Sequence, residues 1–413
     1  MNKKLLALAI AGAFAAPVAM ADNTNVTIFG KIQAEFGSMN NGDANGPGSA
    51  TGGTSSHRKA FVNSSQNTEL GFKGTEDLGN GLSAIWQVAT DVVLDGATTS
   101  GFNRNTFVGV ESKTMGRFIM GKHDSPYKLS TLPLDQFTGT IADYNTLMGS
   151  NGFTVGSSTT AASLTTFDAR PGNLLMYSSP NFNGFDVKGA WSATNEAIVS
   201  PNTGSTTNKG DFWSMSGNYA NGPIFATIAH EVQKAARSNI GSAGATAVGY
   251  GASDSAVKGK ATKLGFGYNF GSTKVGLIWE RIKDNASNGV KASTYSSFGN
   301  TNSRDRKAWY LGAAHNMGKV TLKGAYNKMG DMDGLSESGA KQWTVGADYA
   351  LSKRTSVYAL YTKMSNEQNA AYSLGQGGTS MATNVMGNAG TGVAESRGGA
   401  DPKAFAVGMV HTF

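Results

Sequence analysis

Residues 263–280, KLGFGYNFGSTKVGLIWE, have the pattern of two β-strands joined by a tight turn. Every second residue from Leu264 to Phe270 is large and apolar, and the alternation resumes after Gly271-Ser272. On the second strand the residues that share the apolar face are Val275, Leu277 and Trp279. Alternation with a period of two predicts a strand with one apolar face, and a Gly-Ser pair supplies the positive φ angles of a short hairpin. The stretch therefore predicts an antiparallel β-hairpin.

The same alternation recurs in segments of about ten residues, the length of a tilted strand that crosses a membrane. Helical periodicity is almost absent after residue 22. In residues 26–36 one face carries Val26, Ile28, Ile32, Ala34 and Phe36, and the other carries Thr27, Lys31, Gln33 and Glu35. Residues 342–349 place Trp343, Val345, Ala347 and Tyr349 together. The chain is therefore predicted to be almost entirely β.

The connections between these segments differ systematically in length. The short, turn-rich connections are 76–81, 180–184, 219–222, 271–272, 316–318 and 351–353. The long polar connections, rich in Gly, Ser and Asn, are 38–66, 123–170, 195–209, 235–258, 284–304, 330–339 and 366–402. Short turns at one end and long loops at the other are typical of outer-membrane barrels. We count 16 strands, an even number as such barrels require, over a chain of 413 residues.

A membrane sheet of this kind is expected to close on itself. In hydrocarbon an unpaired backbone N–H or C=O costs several kcal/mol, so a sheet without free edges is required. Aromatic residues near the strand ends are expected to form belts at the two interfaces: Trp86, Tyr177, Trp191, Trp213, Tyr219, Tyr268, Trp279, Trp343 and Tyr349. The alternative interpretation, in which these are core aromatics of a soluble β-sandwich, would need an unusually large number of strands and long loops.

The N-terminus has the pattern of a cleaved export signal. Lys3 and Lys4 precede a short apolar run from Leu5 to Phe14, and Ala19-Met20-Ala21 is an A-x-A cleavage site. We therefore expect residues 1–21 to be a signal peptide and 22–413 to form a single transmembrane barrel domain.

Composition excludes several classes of function. The chain has no cysteine, and its five histidines have no metal-ligand spacing. The apolar fraction of 39% and the mean hydropathy of −0.26 suit strands with only one face in lipid. The formal charge of +7 has no basic tract, so nucleic acid is not an expected partner. We expect no enzyme, no cofactor and no metal centre.

Two lookalike motifs have simpler explanations. Gly265-x-Gly267-x-x-x-Gly271 lies within a strand and opens no helix, unlike a nucleotide-binding glycine motif. Asp331-x-Asp333-Gly334 and Asp43-x-Asn45-Gly46 resemble parts of a calcium loop but lack the remaining ligands. Solvated turn residues explain both acidic motifs, and weak calcium binding by these loops stays as an alternative.

The chain ends in an alternating segment with an aromatic residue at its last position. The residues on its apolar face are Phe405, Val407, Met409, His411 and Phe413. A terminal Phe on such a strand resembles the signal that the barrel-assembly machinery recognises. Phe413 is therefore expected to serve as an assembly signal.

Several stretches now resemble the general porins of β-proteobacteria and Neisseria. Residues 69–82, ELGFKGTEDLGNGL, are similar to the second strand and first turn of that family, and this match is the most specific. Residues 26–30, 177–185 and 408–413 resemble its first strand, third turn and ending. The resemblance implies homotrimers of 16-stranded outer-membrane barrels with short periplasmic turns and long external loops. It also implies contacts with membrane lipid, lipopolysaccharide and the barrel-assembly machinery.

The resemblance further implies a third loop, about 123–169, that is folded into the pore. Acidic residues on that loop would face basic residues on the wall and create a transverse field. The candidate acids of the constriction are Asp135 and Asp143. The basic candidates are Lys31, Lys73 and Lys122, placed on the lumen side by alternation, and Arg170 at the exit of the loop.

Three positions depart from the family pattern. Glu69 stands where a lumen arginine is common, Lys122 replaces an arginine, and Met176 occupies a position that is usually basic. These changes remove basic charge from the wall and put the frequent anion preference of the family in doubt. The expected function is passive diffusion of ions and small hydrophilic solutes through a water-filled pore. The alternatives are a substrate-specific porin and a surface-binding or adhesive barrel.

Overall fold

The computed structural model describes residues 25–40, 42, 59–64, 67–94, 101–150, 167–193, 211–234, 258–285, 305–333, 336–370, 372–375 and 399–413. The signal-peptide prediction for residues 1–21 lies outside this part of the chain. Its strands are β1 (Asn25–Asn40), β2 (Lys59–Ser64), β3 (Glu69–Gly79), β4 (Leu82–Asp91), β5 (Thr106–Ser112), β6 (Gly116–Lys122), β7 (Leu174–Ser178), β8 (Phe185–Ala193), β9 (Asp211–Asn221), β10 (Ile224–Lys234), β11 (Lys258–Asn269), β12 (Thr273–Asn285), β13 (Arg306–Met317), β14 (Val320–Met329), β15 (Ala340–Ala350), β16 (Thr355–Asn366) and β17 (Lys403–Thr412).

The helices of the described residues are short and lie between β6 and β7. They are α1 (Pro126–Thr131) and three 3₁₀ turns, Leu132–Leu134, Tyr144–Thr146 and Met148–Ser150. Among the described residues, no helix combines the length and the apolar character that a membrane crossing requires.

The strands form one closed antiparallel barrel. From β3 to β17 each strand pairs with the next along the chain, and β17 pairs with β1. Strands β2 and β3 both pair with β1, through Glu35–Asn40 and Asn25–Lys31 respectively, so they occupy one position in the barrel. The seventeen segments therefore make 16 barrel strands, as predicted. Between β2 and β3, Thr68 bonds to both the N–H and the C=O of Gln33, at 2.9 and 2.8 Å, and bridges the gap in the ladder.

The predicted division into two faces is confirmed. Along β13, Ala308, Tyr310 and Gly312 are buried, while Trp309 and Leu311 between them are exposed. The outer face of the other strands is similarly apolar and exposed, for instance at Val26, Ile28, Leu264, Phe266, Leu277, Trp343, Val345, Phe405 and Val407. Apolar side chains on the outside of a closed sheet are the surface that lipid requires.

The short turns have the backbone that their sequence predicted. Gly79, Asn80 and Gly81 have φ values of 81°, 53° and 74° between β3 and β4. Two connections were missed, a long one at 92–105 and a short turn at 113–115. The first begins with the apolar residues 92–94, which continue the strand pattern, and the second contains no Asn-Gly or Gly-Ser pair.

A charge on the outer face should destabilise the barrel according to its depth. Leu311 lies at the middle of β13 and is half-exposed, whereas His315 lies on the same face near the turn. We expect Leu311→Arg to lower the free energy of unfolding by about 2–4 kcal/mol and His315→Arg by about 0–1 kcal/mol. Urea titration of the protein in lipid vesicles, followed by tryptophan fluorescence, measures both. Equal losses for the two variants would contradict the membrane orientation.

Candidate functional site

The two described limbs of the connection between β6 and β7, which is called loop 3 from here on, lie inside the barrel. Its first limb (123–150) and return limb (167–173) are described. The first limb hydrogen-bonds to inward side chains on seven strands: Gln33 and Glu35 on β1, Ser214 on β9, Lys263 on β11, Glu280 on β12, Tyr310 on β13, Asn327 on β14 and Gln342 on β15. One segment can bond to so many wall strands only from within the cylinder. This position inside the barrel is the one predicted for a third loop that folds into the pore.

The base of loop 3 is fixed by a helix cap and a charge cluster. Ser125 caps α1 by accepting a hydrogen bond from the N–H of Lys128 at 3.2 Å, and Pro126 takes the first helical position. Asp124 forms salt bridges with Lys128 at 2.9 Å and with Arg170 at 3.1 Å. Burial alone would raise the pKa of Asp124, but these two cations outweigh it and hold the pKa well below its usual range. The cluster joins the two limbs where they enter the lumen.

Glycines in the wall make room for the loop. A Cβ atom built on Gly265 or Gly267 of β11 would lie 2.7 or 2.8 Å from a methyl carbon of Leu134, too close for either residue to be replaced without movement. The absence of side chains at Gly265 and Gly267 thus leaves the space that the Leu134 side chain occupies. Around it, loop residues pack in one cluster with wall residues, including Phe137, Ile141, Leu147, Met148, Ile278 and Leu360.

The two predicted acids of the constriction are both engaged in holding the loop. Asp135 accepts hydrogen bonds from the Tyr310 hydroxyl and the Phe137 N–H at 3.0 Å, and from the Tyr144 N–H at 3.3 Å. Burial and the charge of Asp143 raise the pKa of Asp135 to about 7, against the opposing effect of those hydrogen bonds.

Asp143 is buried, at 1% exposure, and its carboxylate accepts hydrogen bonds from the N–H groups of Gly139 and Asn145 at 2.8 and 2.9 Å. These contacts favour a role in shaping the loop. That Asp135 and Asp143 define the constriction stays a prediction.

Facing loop 3 is the charged wall, by which we mean the inward groups of β1 to β6 and their connections. Lys31 and Glu69 stand opposite each other across β1 and β3, and Lys73 lies over the Phe29 ring with its Nζ 5.3 Å from the centroid. Arg104, just before β5, forms a salt bridge with Asp91 of β4 and also acts electrostatically on Lys31. Counted round the barrel, β5 is eight positions from β13, so this wall lies across from the Asp135 anchor.

The position of Lys122 differs from the alternation argument. Phe118 and Met120 are exposed on the outer face, so strict alternation assigns Lys122 to the same side. Gly121, with a φ of 141°, departs from regular strand geometry immediately before it. Lys122 is within electrostatic reach of Arg170 and Asp91, which belong to the charged wall and its base.

Arg104 and Asp91 were not among the functional candidates predicted from the sequence. Arg104 lies in the connection of residues 92–105, which was not recognised in the sequence, so its salt bridge with Asp91 could not be predicted. Met176, by contrast, is buried at 3% exposure among Ile119 and Leu174, and so contributes an apolar patch where the resemblance implied a basic residue.

The acidic loop motifs provide no metal centre in the described part of the chain, where no group of three potential ligands is found. Asp331 is used by its own loop, accepting hydrogen bonds from the N–H groups of Ser338 and Gly339, each at 2.9 Å. The motif at residues 43–46 lies outside the described residues, and weak calcium binding stays a prediction.

Comparison with known proteins agrees with this geometry. A family model described as Gram-negative porin matches residues 7–369. The chain is 28% identical over 400 residues to outer membrane porin protein 32 of Delftia acidovorans. This alignment covers 95% of this chain and 98% of the Delftia protein. It is 27% identical over 376 residues to the major outer membrane protein P.IB of Neisseria gonorrhoeae, an alignment that covers 86% of this chain and 91% of that protein.

Among solved structures, an anion-selective porin from Comamonas acidovorans superposes with a TM-score of 0.67 at 21% identity, covering 95% of this chain and all of that one. This likeness supports the fold, and the family match extends over most of the chain. The chain therefore belongs to the Gram-negative porin family and is an outer-membrane channel for the passive diffusion of ions and small hydrophilic solutes.

Proposed function

We propose that solutes pass between loop 3 and the charged wall, and that this pore has at most a weak preference for anions. The observation that carries the proposal is the pairing of charges along the path. Lys31 faces Glu69, Arg104 is bonded to Asp91, and Asp124 is shared by two cations. A cation whose field is cancelled by an adjacent acid attracts a passing anion much less than a free one.

The anion selectivity named for the Comamonas acidovorans porin is therefore not expected in full for this chain. Glu69 supports this difference because it adds a negative charge to the inner face of β3. Met176 supports it as well, because an apolar side chain stands at a position that is usually basic in the family.

Three of these barrels are proposed to assemble as a homotrimer. Support comes from the family and from a solved trimer form of a Vibrio cholerae outer-membrane protein, which shares the fold with a TM-score of 0.56 at 14% identity. Membrane lipid, lipopolysaccharide and the barrel-assembly machinery are proposed as further partners. We propose no enzymatic activity, since membership of the family makes the chain a channel.

The alternatives of a substrate-specific pore and a surface-binding barrel stay predictions. Both depend on the long loops, and large parts of these loops lie outside the described part of the chain: 43–58, 151–166, 194–210, 235–257, 286–304 and 376–398.

Selectivity should change near neutral pH because of Asp135. Below its raised pKa of about 7 this carboxyl carries a proton and no charge, and above it the carboxylate adds a negative charge to the loop. We therefore expect cation preference to rise as the pH increases from 6 to 8. Reversal potentials in a potassium chloride gradient, measured from pH 5 to pH 9, record the change.

Asp135→Asn should remain at the low-pH value throughout, because its amide carries no charge. The matched control is Asp186→Asn, which removes an inward carboxylate on β8 that pairs with Lys188 away from loop 3. This control should retain the step. If the reversal potential of the wild type does not change between pH 6 and pH 8, Asp135 does not belong to the constriction.

A further inference from the structure

A lysine is completely buried between loop 3 and the wall. Lys263, on β11, has no exposed surface, and its Nζ lies 2.5 Å from both carboxylate oxygens of Asp168. The same ammonium donates to the Thr131 hydroxyl at 3.3 Å and lies 3.7 Å from Glu280 on β12.

The partners of Lys263 come from both limbs of the loop. Thr131 belongs to the first limb, and the rings of Tyr127 and Tyr144 from that limb face the ammonium at 4.5 and 5.0 Å. Asp168 belongs to the return limb. A single wall residue thus binds the two limbs at one point.

Glu280 completes the same cluster from the next strand. It accepts hydrogen bonds from the Tyr127 hydroxyl at 2.7 Å and from the Gly149 N–H at 2.9 Å. Asp168 also accepts a bond from the side-chain amide of Asn145 at 2.7 Å. We call Lys263, Asp168, Glu280 and Tyr127 the loop latch. It connects two strands to the beginning, the middle and the end of the loop.

A latch of this kind restricts geometry more than it adds stability. A buried ion pair contributes little relative to well-packed apolar residues, but removing one partner leaves an unpaired buried charge. The four residues of the loop latch must therefore stay in contact for loop 3 to remain against β11 and β12. The other contacts of loop 3 with the wall described above are apolar packing and hydrogen bonds without an ion pair, which tolerate more than one arrangement.

We propose that Lys263 is a positioning residue that keeps the pore open by holding both limbs of loop 3 against β11 and β12. Without it the loop leaves the wall and closes the lumen intermittently. The proposal rests on the proposed path beside loop 3, but its readout is gating. Failure of that path would instead show in ion selectivity.

The first test replaces Lys263 with methionine, which keeps much of the volume and removes the charge. Single-channel recordings of Lys263→Met should show several-fold more closing events and closure at a lower voltage than the wild type. The matched control is Lys188→Met, an inward lysine on β8 that is paired with Asp186 and makes none of the loop 3 contacts described above. The control should gate like the wild type.

The second test ties the loop back to the wall by a reversible bond. A Cβ on Gly276 of β12 would lie 3.2 Å from the Leu134 Cβ, just under the roughly 3.5–4.5 Å of a disulfide. The chain has no native cysteine, so Leu134→Cys with Gly276→Cys gives one defined bridge. In the Lys263→Met background the oxidised bridge should suppress the extra closures, and a reductant should bring them back.

Asp168→Asn, which keeps the size of the side chain, replaces Lys263→Met if that variant does not fold, and it should shift gating in the same direction. Wild-type gating in a folded Lys263→Met or Asp168→Asn channel would overturn the proposal. So would closures that persist unchanged when the bridge is oxidised.

Discussion

Glu69→Arg should raise the ratio of anion to cation permeability roughly tenfold. The substitution changes the wall by two charges, next to Lys31 and close to Arg104. At about 6 Å in a water-like medium, two unit charges lower the energy of a passing anion by about 1.4 kcal/mol and raise that of a cation by the same amount. The ratio therefore changes by up to about 2.8 kcal/mol without screening, and the tenfold change corresponds to screening of about half of this. Salt screens part of this interaction, so the full effect is expected at low ionic strength. Reversal potentials in a salt gradient give the ratio directly.

The control for Glu69→Arg is Glu76→Arg, seven residues further along β3, beside the turn and by alternation on the outer face. It makes the same change of charge away from loop 3 and should alter the ratio far less. Equal effects of the two substitutions would mean that the net charge of the barrel, rather than the charged wall, sets the selectivity.

A chain that ends at Thr412 should fail to assemble into a stable barrel. Phe413 closes the seam between β17 and β1, because its N–H and C=O each bond to the backbone of Gly30 at 3.1 Å. Its ring also packs over Gly30, where a built Cβ atom would approach the ring to 2.5 Å. Unpaired backbone groups at a membrane seam cost several kcal/mol, and the proposed assembly signal would be lost with them.

The fraction of Phe413-deleted protein that migrates as a folded barrel in unheated gel samples measures this effect. Phe413→Tyr, which keeps the backbone and the aromatic ring, is the control and should assemble normally. A truncated chain that assembles as well as the control would contradict both roles of Phe413. Refolding in detergent micelles, without the assembly machinery, separates the loss of the seam from the loss of the signal.

The barrel was predictable because its pattern is local and repeated. The hairpin of residues 263–280 forms with Leu264 opposite Trp279 and with its apolar residues on the outer face. Where alternation is interrupted, the prediction weakens, as at the missed connection of residues 92–105. The split of one barrel strand into β2 and β3 was not foreseen either, because it depends on the contact between Thr68 and Gln33.

The interior was less predictable because it depends on contacts between distant residues. Alternation along β11 describes the faces around Lys263, but it does not reveal a partner 95 residues earlier in the chain. Asp143 stands in the predicted loop, yet its carboxylate is used by nearby N–H groups. Loops have no periodicity, so sequence alone could place candidate acids on loop 3 but not the direction in which they point.

Along each strand of this barrel every second side chain faces lipid, while its neighbours line an aqueous channel. Current recorded across a planar bilayer with the purified, folded protein tests this claim most directly. We expect stepwise and nearly ohmic conductance, with steps in groups of three if the proposed homotrimer inserts as a unit. Folded barrels that bind the bilayer and pass no current at any voltage would contradict it.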